Sequence, residues 1–235
     1  MQLFHLEKDL FNIQWNSLKL FPIPELISQL RKVLRIKKWN HIYVQFSNNT
    51  ETLRYELEIL DRTDQELTGN IISTQNFDKQ WKDISMLIAM PNKREKAELI
   101  VQKLTEIWVN LIWFWVSEHS IIRQRNDKKA DRLKKISREA TEQSRWTTLP
   151  EIRFYTDTEL KNFIKWKNMF LANMGWQPLQ KNNWLSNLCW IIGPEWWFST
   201  SDLELFQEAK IIDLWTNVLR METASIILAW ILKNE

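Results

Sequence analysis

Two stretches near the carboxyl end hold residues whose types and spacing could do chemistry. Ile191-Ile192-Gly193-Pro194-Glu195-Trp196-Trp197-Phe198-Ser199 runs from an apolar segment into a turn. Leu214-Trp215-Thr216-Asn217-Val218-Leu219-Arg220-Met221-Glu222-Thr223-Ala224 runs from a loop into a helix-period segment. Gly193-Pro194-Glu195 would sit where a buried strand exits, the place at which open α/β sheets hold ligands. By itself such a tripeptide is a common turn. Glu222 and Thr223 suit the first turn of a helix, where an acid complements the dipole, and Arg220 on the plainest account is a surface ion-pair partner. Other chemistries find no support. His5, His41 and His119 lie far apart with no carboxylate at ligand spacing, so no metal site is expected. The chain has no P-loop, no G-x-S-x-G and no G-x-G-x-x-G.

Charge points toward phosphate. The net charge is only +3, but it is uneven. Between Gln29 and Lys38 stand Arg31, Lys32, Arg35, Lys37 and Lys38 with no acid, and His119 to Trp146 carries nine Lys/Arg against Asp127, Asp131, Glu139 and Glu142. Clustered basic side chains are what a nucleic-acid backbone selects for. For the second cluster, a solvated helix face is an equal account.

Composition holds an anomaly. Average usage of about 7% would put roughly 16 glycines in a chain of this length, and this one has 3 Gly beside 15 Trp. Many positions written as Trp therefore read as glycine positions. In some bacterial lineages the codon UGA specifies glycine, and a gene decoded with UGA as tryptophan would give this pattern. Real tryptophans in a diverged or inactive relative are the alternative.

The two loops together resemble those of the RsmE family, bacterial 16S rRNA (uracil-N3-)methyltransferases of the SPOUT class. There the first loop reads G-P-E-G-G-F and the second L-G-x-x-I-L-R-x-E-T-A. Trp196, Trp197 and Trp215 replace three of those glycines, and Trp39 and Trp108 occupy two further turn-glycine positions. Gln29-Leu30-Arg31-Lys32-Val33-Leu34-Arg35 matches the amino-terminal signature H/Q-L-x-x-V-L-R. Arg138-Glu139-Ala140-Thr141-Glu142-Gln143-Ser144-Arg145-Trp146 resembles E-A-x-E-Q-S-x-R, except that Trp146 holds the last Arg position and Arg145 precedes it. Ser117-Glu118-His119 stands where S-E-R is usual.

The resemblance implies S-adenosyl-L-methionine as cofactor. Ile192, Gly193, Pro194, Glu195, Trp196, Trp197, Leu214, Trp215, Val218, Leu219 and Arg220 would line its site. Arg220 would face the reacting base and stabilise the uridine anion, with Glu222 or Glu195 as weaker candidates for a base that takes the N3 proton. Arg31, Lys32, Arg35, Lys37, Lys38, Arg138, Gln143 and Arg145 would contact RNA. It also implies 16S rRNA or the small ribosomal subunit as partner, a homodimer and a carboxy-terminal trefoil knot. A Trp-filled pocket would instead make the chain an inactive RNA-binding or ribosome-assembly protein, and a SPOUT methyltransferase with another RNA target is a third possibility.

The elements that must position these loops follow from period. His41 to Phe46 and Arg54 to Leu60 read as strands about the turn at 47–50, and Pro24 to Leu34 as a helix. After Trp81 strand and helix alternate: Ile84 to Met90, helix Arg94 to Ile107, strand Asn110 to Val116, helix Asp127 to Gln143, strand Leu188 to Ile192, helix Ser201 to Ala209 and a last helix from Glu222 to about Lys233. This predicts an α/β protein, a small β-barrel with one helix followed by a domain with a mostly parallel sheet; the resemblance implies that these are a PUA-like β-barrel over residues 1–75 and a SPOUT domain over 76–235. Cys189 is the single cysteine, which fits a reducing cytoplasm. No amino-terminal signal is expected, because Glu7, Lys8 and Asp9 break the first apolar run, and no run reaches the roughly 20 residues of a membrane span.

Overall fold

A computed structural model of the chain describes residues 2–20, 30, 35–47, 51–63, 66–78, 84–118, 120, 127–155, 157–165, 167–178, 188–195, 197–213 and 218–234. The chain forms two compact units, one of residues 1–80 with 141–148, the other of 81–140 with 149–235.

The first unit is one six-stranded sheet. Its strands are β1 (Gln2–Leu6), β2 (Phe11–Gln14), β3 (Ser17–Leu20), β4 (His41–Ser47), β5 (Glu51–Arg62) and β6 (Leu67–Asp78), in the order β1-β4-β5-β6-β3-β2. β1 runs parallel to β4 and the other neighbours are antiparallel. β5 and β6 shift register at Glu56/Leu57 and Ile59/Asp61, irregularities of the kind that curl a long pair toward a barrel. Alternation fills the inside: Leu18, Ile42, Val44, Leu57, Ile59 and Leu67 are all buried. The segment 141–148 is stitched on by its backbone, since Thr147 O accepts from Gln45 Nε2, Ser47 Oγ and Thr52 Oγ1 at 2.8–3.1 Å. Trp146 lies buried there.

The second unit is a parallel sheet with helices. β7 (Ser85–Ala89), β8 (Leu111–Trp115), β9 (Glu151–Tyr155), β10 (Asn168–Pro178), β11 (Leu188–Ile192) and β12 (Lys210–Asp213) lie in the order β12-β10-β11-β7-β8-β9, every pairing parallel. The helices are α1 (Arg94–Glu106), α2 (Asp127–Ser144), α3 (Asp157–Ile164), α4 (Thr200–Leu205) and α5 (Met221–Asn234). β7 and β8 are near-continuous apolar runs because both faces of such a sheet are covered. α1 buries Ala97, Ile100, Val101 and Leu104, the one-face spacing of an amphipathic helix.

The fold class is thus the expected one, a barrel-like β domain followed by an α/β domain. Most of the predicted strands and helices recur within a residue or two. The helix expected over Ser201 to Ala209 stops at Leu205, because Phe206 leaves helical geometry. The helix expected over Pro24 to Leu34 lies outside the described residues except for buried Leu30. β1, β2, β3, β9, β12 and α3 are short, and periodicity gave no sign of them or of the longer strands β6 and β10, whose polar residues interrupt the apolar pattern. Among the described residues no helix is long and apolar enough to cross a membrane.

Among the described residues four tryptophans have left-handed backbone, Trp15 (φ 55), Trp39 (φ 68), Trp108 (φ 74) and Trp197 (φ 70), as do Arg35 (φ 49) and Arg145 (φ 54). Each of the first three sits in a turn that glycine normally fills. Gln14 pairs with Ser17, leaving a two-residue hairpin loop in which only Trp15 has positive φ, the pattern of a type II′ turn with glycine first. Asn40 N donates to Lys37 O at 3.1 Å, so Trp39 is the third residue of a turn where type II geometry wants glycine. At the end of α1, Val109 N reaches Leu104 O and Trp108 N reaches Thr105 O, the paired bonds of a helix stop built on a left-handed residue at Trp108. Each such conformation costs an L-residue about 1–2 kcal/mol.

Candidate active site

The site gathers at the carboxyl ends of β7, β8 and β11. β11 ends in buried Ile192, and the chain passes through Gly193, Pro194 and Glu195 to Trp197, Phe198 and Ser199. Gly193 is fixed by close approach: an added Cβ would meet the Phe198 ring at 2.5 Å. That ring also stacks on Trp115 at the end of β8, with centroids 6.4 Å apart and planes 11° from parallel. Trp197 points outward, 53% exposed, on its left-handed backbone.

Ser199 begins α4 with a reciprocal cap. Its Oγ accepts from Asp202 N at 3.1 Å while Asp202 Oδ2 accepts from Ser199 N at 3.1 Å. Asp202 is buried, and its Oδ1 also accepts from Glu118 N at 3.3 Å, tying the loop after β8 to the loop after β11. Beside this knot of bonds opens a cleft of about 600 Å³ lined by Glu118, Phe198, Ser199, Thr200, Ser201 and Glu204.

The second loop reaches the same end of the sheet. Val218 and Arg220 are exposed and Leu219 half-buried, and Arg220 O accepts from Ala224 N at 2.8 Å as α5 begins. Glu222 lies in the first turn with its side chain only 13% exposed. Its partner is a residue from neither loop. Lys96, on the first turns of α1, hydrogen-bonds Glu195 Oε1, and its Nζ stands 3.5 Å from Glu222 Oε2. Asn92 Nδ2 donates to the other Glu195 oxygen at 2.9 Å. The hydrogen bond to Glu195 holds the Lys96 ammonium above the usual lysine range, against its partial desolvation, and the charges of Glu195 and Glu222 add to the effect. Both Glu195 oxygens thus have a donor. Glu222 Oε2 is buried beside the same ammonium.

The structure therefore brings together Ile192, Gly193, Pro194, Glu195, Trp197 and Glu222, with Val218, Leu219 and Arg220 leading into α5. Trp196, Leu214 and Trp215 lie outside the described residues, as do Arg31, Lys32 and His119. Arg35, Lys37 and Lys38 are exposed on the first unit, and Lys38 Nζ sits 4.9 Å over the Trp39 ring. Arg138 is exposed on α2 beside Lys128, Lys129, Arg132, Lys134 and Lys135. Gln143 and Arg145 are exposed within 141–148, where Arg145 O accepts from Arg54 Nη2 at 2.8 Å. Trp146, at the family's arginine position, is a core residue. Lys96, Asn92 and Asp202 were missed by the sequence reading. Only an acid three residues after Ser199, a capping signal, could have marked one of them.

Comparison with known proteins agrees with this geometry. Over its whole length the chain resembles the ribosomal RNA small subunit methyltransferase E of Neisseria gonorrhoeae bound to S-adenosylmethionine, with a TM-score of 0.81 at 18% identity, covering 100% of this chain and 97% of that one. A methyltransferase structure of Legionella pneumophila with bound S-adenosylmethionine gives 0.80 at 20% identity, covering 100% and 98%. In sequence, the ribosomal RNA small subunit methyltransferase E of Rickettsia conorii is 29% identical over 145 residues, which span 57% of this chain and 57% of that protein. Residues 79–233 match the RNA methyltransferase domain family model, and the chain belongs to that family.

Proposed function

We propose that this protein transfers the methyl group of S-adenosylmethionine to N3 of a uridine in 16S ribosomal RNA, working as a cytoplasmic homodimer with a knotted carboxy-terminal domain. The observation that carries the reading is the left-handed backbone at Trp197 in the loop leaving β11. By the same backbone criterion the chain made in its own cell carries glycine at 39, 108 and 197, with Trp15 joining the set, and the family motif adds 196 and 215.

The residues present fit the cofactor on that basis. Gly193 leaves no space for a side chain of its own, and Glu222 Oε2 is buried with only the Lys96 ammonium, 3.5 Å away, as its neighbouring cation. Ile192, Gly193, Pro194, Glu195, Leu214, Val218, Leu219, Arg220 and positions 196, 197 and 215 would hold it. When bound, S-adenosylmethionine supplies an electrophilic methyl group on its sulfonium.

The chain's own residues do the rest. N3 lies on the Watson–Crick edge, so the uridine must be unpaired or flipped before it can react. Its proton must leave, and exposed Arg220 suits stabilisation of the resulting anion, with Glu222 as the carboxylate nearest to accept the proton. Arg35, Lys37 and Lys38, with the exposed lysines and arginines of α2, would hold phosphates. Arg35→Gln should weaken RNA binding and reduce the salt slope by about one, while cofactor affinity stays unchanged.

The test compares two full chains, one with tryptophan and one with glycine at 15, 39, 108, 196, 197 and 215. Calorimetry should detect S-adenosylmethionine binding by the glycine chain alone, and methyl mapping should then find N3-methyluridine in 16S rRNA. If the glycine chain binds RNA but no cofactor, the proposal fails and the chain is a non-enzymatic RNA-binding protein. Methylation at another atom or in another RNA would keep the cofactor and overturn the substrate.

A further inference from the structure

The two loops that carry the site are fastened by residues from a third part of the chain. Asn92 lies between β7 and α1, Lys96 one turn into α1, Glu195 after β11 and Glu222 at the start of α5. These segments are about 100 and 125 residues apart in sequence, yet one ammonium serves both carboxylates. The side chains of Lys96, Glu195 and Glu222 are 24%, 20% and 13% exposed, so water screens the cluster only in part.

We propose that Lys96 is a positioning residue for the methyl-transfer site, a latch whose ammonium holds the loop after β11 against the first turn of α5. The inference rests on the reading that these two loops hold the cofactor. Its physical basis is charge balance. Without Lys96, two largely buried carboxylates would share one region with no cation between them, and burying an unpaired charge is far costlier than burying a paired one. Glu195 would turn to water and take Pro194 and the residue at 197 with it. Glu222 would keep the α5 dipole as its remaining partner. Asn92 sets the direction of the latch, because its hydrogen bond fixes the second Glu195 oxygen and leaves the first for Lys96. The latch also holds the two acids unequally: Glu195 is tied at both oxygens, whereas Glu222 Oε2 meets the shared ammonium at 3.5 Å.

The test uses amide hydrogen exchange in the cofactor-free full chain, alongside calorimetric binding of S-adenosylmethionine. Lys96→Met keeps the aliphatic stem and removes the charge. It should speed exchange about tenfold in 193–199 and 221–225 while the amides of β8 keep their protection. Cofactor affinity should fall about tenfold and Lys96→Arg should restore most of it. Glu195→Gln is the second variant, and should loosen the same two segments even where Lys96→Met folds poorly. Unchanged exchange in both variants would overturn the latch, and so would loosening spread evenly over the sheet. Faster exchange confined to the two loops in a chain that binds no cofactor would support the latch and sink the methyltransferase reading, so the two failures are separate.

Discussion

β8 and the loop leaving β11 are neighbours joined through the Phe198 ring, and both are written with tryptophan, yet the residue does opposite work in them. In β8, Trp113 and Trp115 are extended and buried. Trp113 meets Phe163 and Tyr155 edge-on at 4.3 and 5.7 Å, and Trp115 meets Phe206 at 5.0 Å. In the loop, Trp197 is left-handed and turned to solvent. A core tryptophan contributes area and shape. A left-handed tryptophan in a turn strains the backbone and packs less of its ring, although Lys38 lies over Trp39 and Lys233 over Trp108. The same contrast separates buried Trp146 and Trp190 from Trp15, Trp39 and Trp108. Exposure alone would not make it, because Trp230 is 59% exposed on the regular helix α5.

The contrast breaks first at Trp115. Trp115→Ala should cost about 3–5 kcal/mol, the range for removing a buried large aromatic, as measured by urea unfolding, and a loss under 1 kcal/mol would undo the assignment of β8 as core.

The next largest effect belongs to Cys189 in the same core. Burial pushes its thiol up to about 12, from an ordinary value of 9.0, with nearby Lys167 opposing slightly. The native state therefore keeps its proton where the unfolded chain would lose it. Stability is whole below about pH 9 and should fall as pH rises, by about 1.4 kcal/mol per unit until about 12. A Cys189→Ala chain should lack that component of the alkaline slope.

Smaller and opposite in sign are the turns. Trp15→Gly, Trp39→Gly, Trp108→Gly and Trp197→Gly each remove a left-handed penalty of about 1–2 kcal/mol and add roughly 0.5–1 kcal/mol of glycine entropy. Each should therefore raise stability by about 0.5–1 kcal/mol. Destabilisation at all four would mean that the indoles have been accommodated and the tryptophans are real. The codons at 15, 39, 108 and 197 should also differ from those at 113, 115, 146 and 190.

The smallest effect is expected at Trp113→Phe. Its indole N–H is buried without a hydrogen bond, so losing it offsets lost packing and the net change should stay below about 1 kcal/mol.

Much of the second unit was legible because β7, β8 and β11 are unbroken apolar runs and its helices carry one-sided spacing; β7, α1, β8, α2, β11 and α5 all follow from that, whereas β10, with Asn168, Asn173 and Gln177 along it, did not stand out. The first unit was legible only at β4 and β5. β2 and β3 have four residues each, too few for alternation to stand out. In the site, the two loops were visible through their spacing, whereas Lys96 and Asn92 were not, since nothing local distinguishes a surface lysine from one that two distant carboxylates share.

By itself the sequence determined the class of fold, the location of both loops and the shortage of glycine, because apolar period, motif spacing and composition are properties of the chain read in order. Only the tertiary structure showed left-handed backbone at Trp39, Trp108 and Trp197, added Trp15, which the motifs do not mark, and showed which tryptophans form the core. Left-handed backbone is imposed by turn closure and by bonds from distant strands, as when Trp39 N reaches Ile59 O at 2.8 Å. The same holds for the Lys96 latch. Charge pairing depends on distance in space, and folding alone brings residues 92–96, 195 and 222 together.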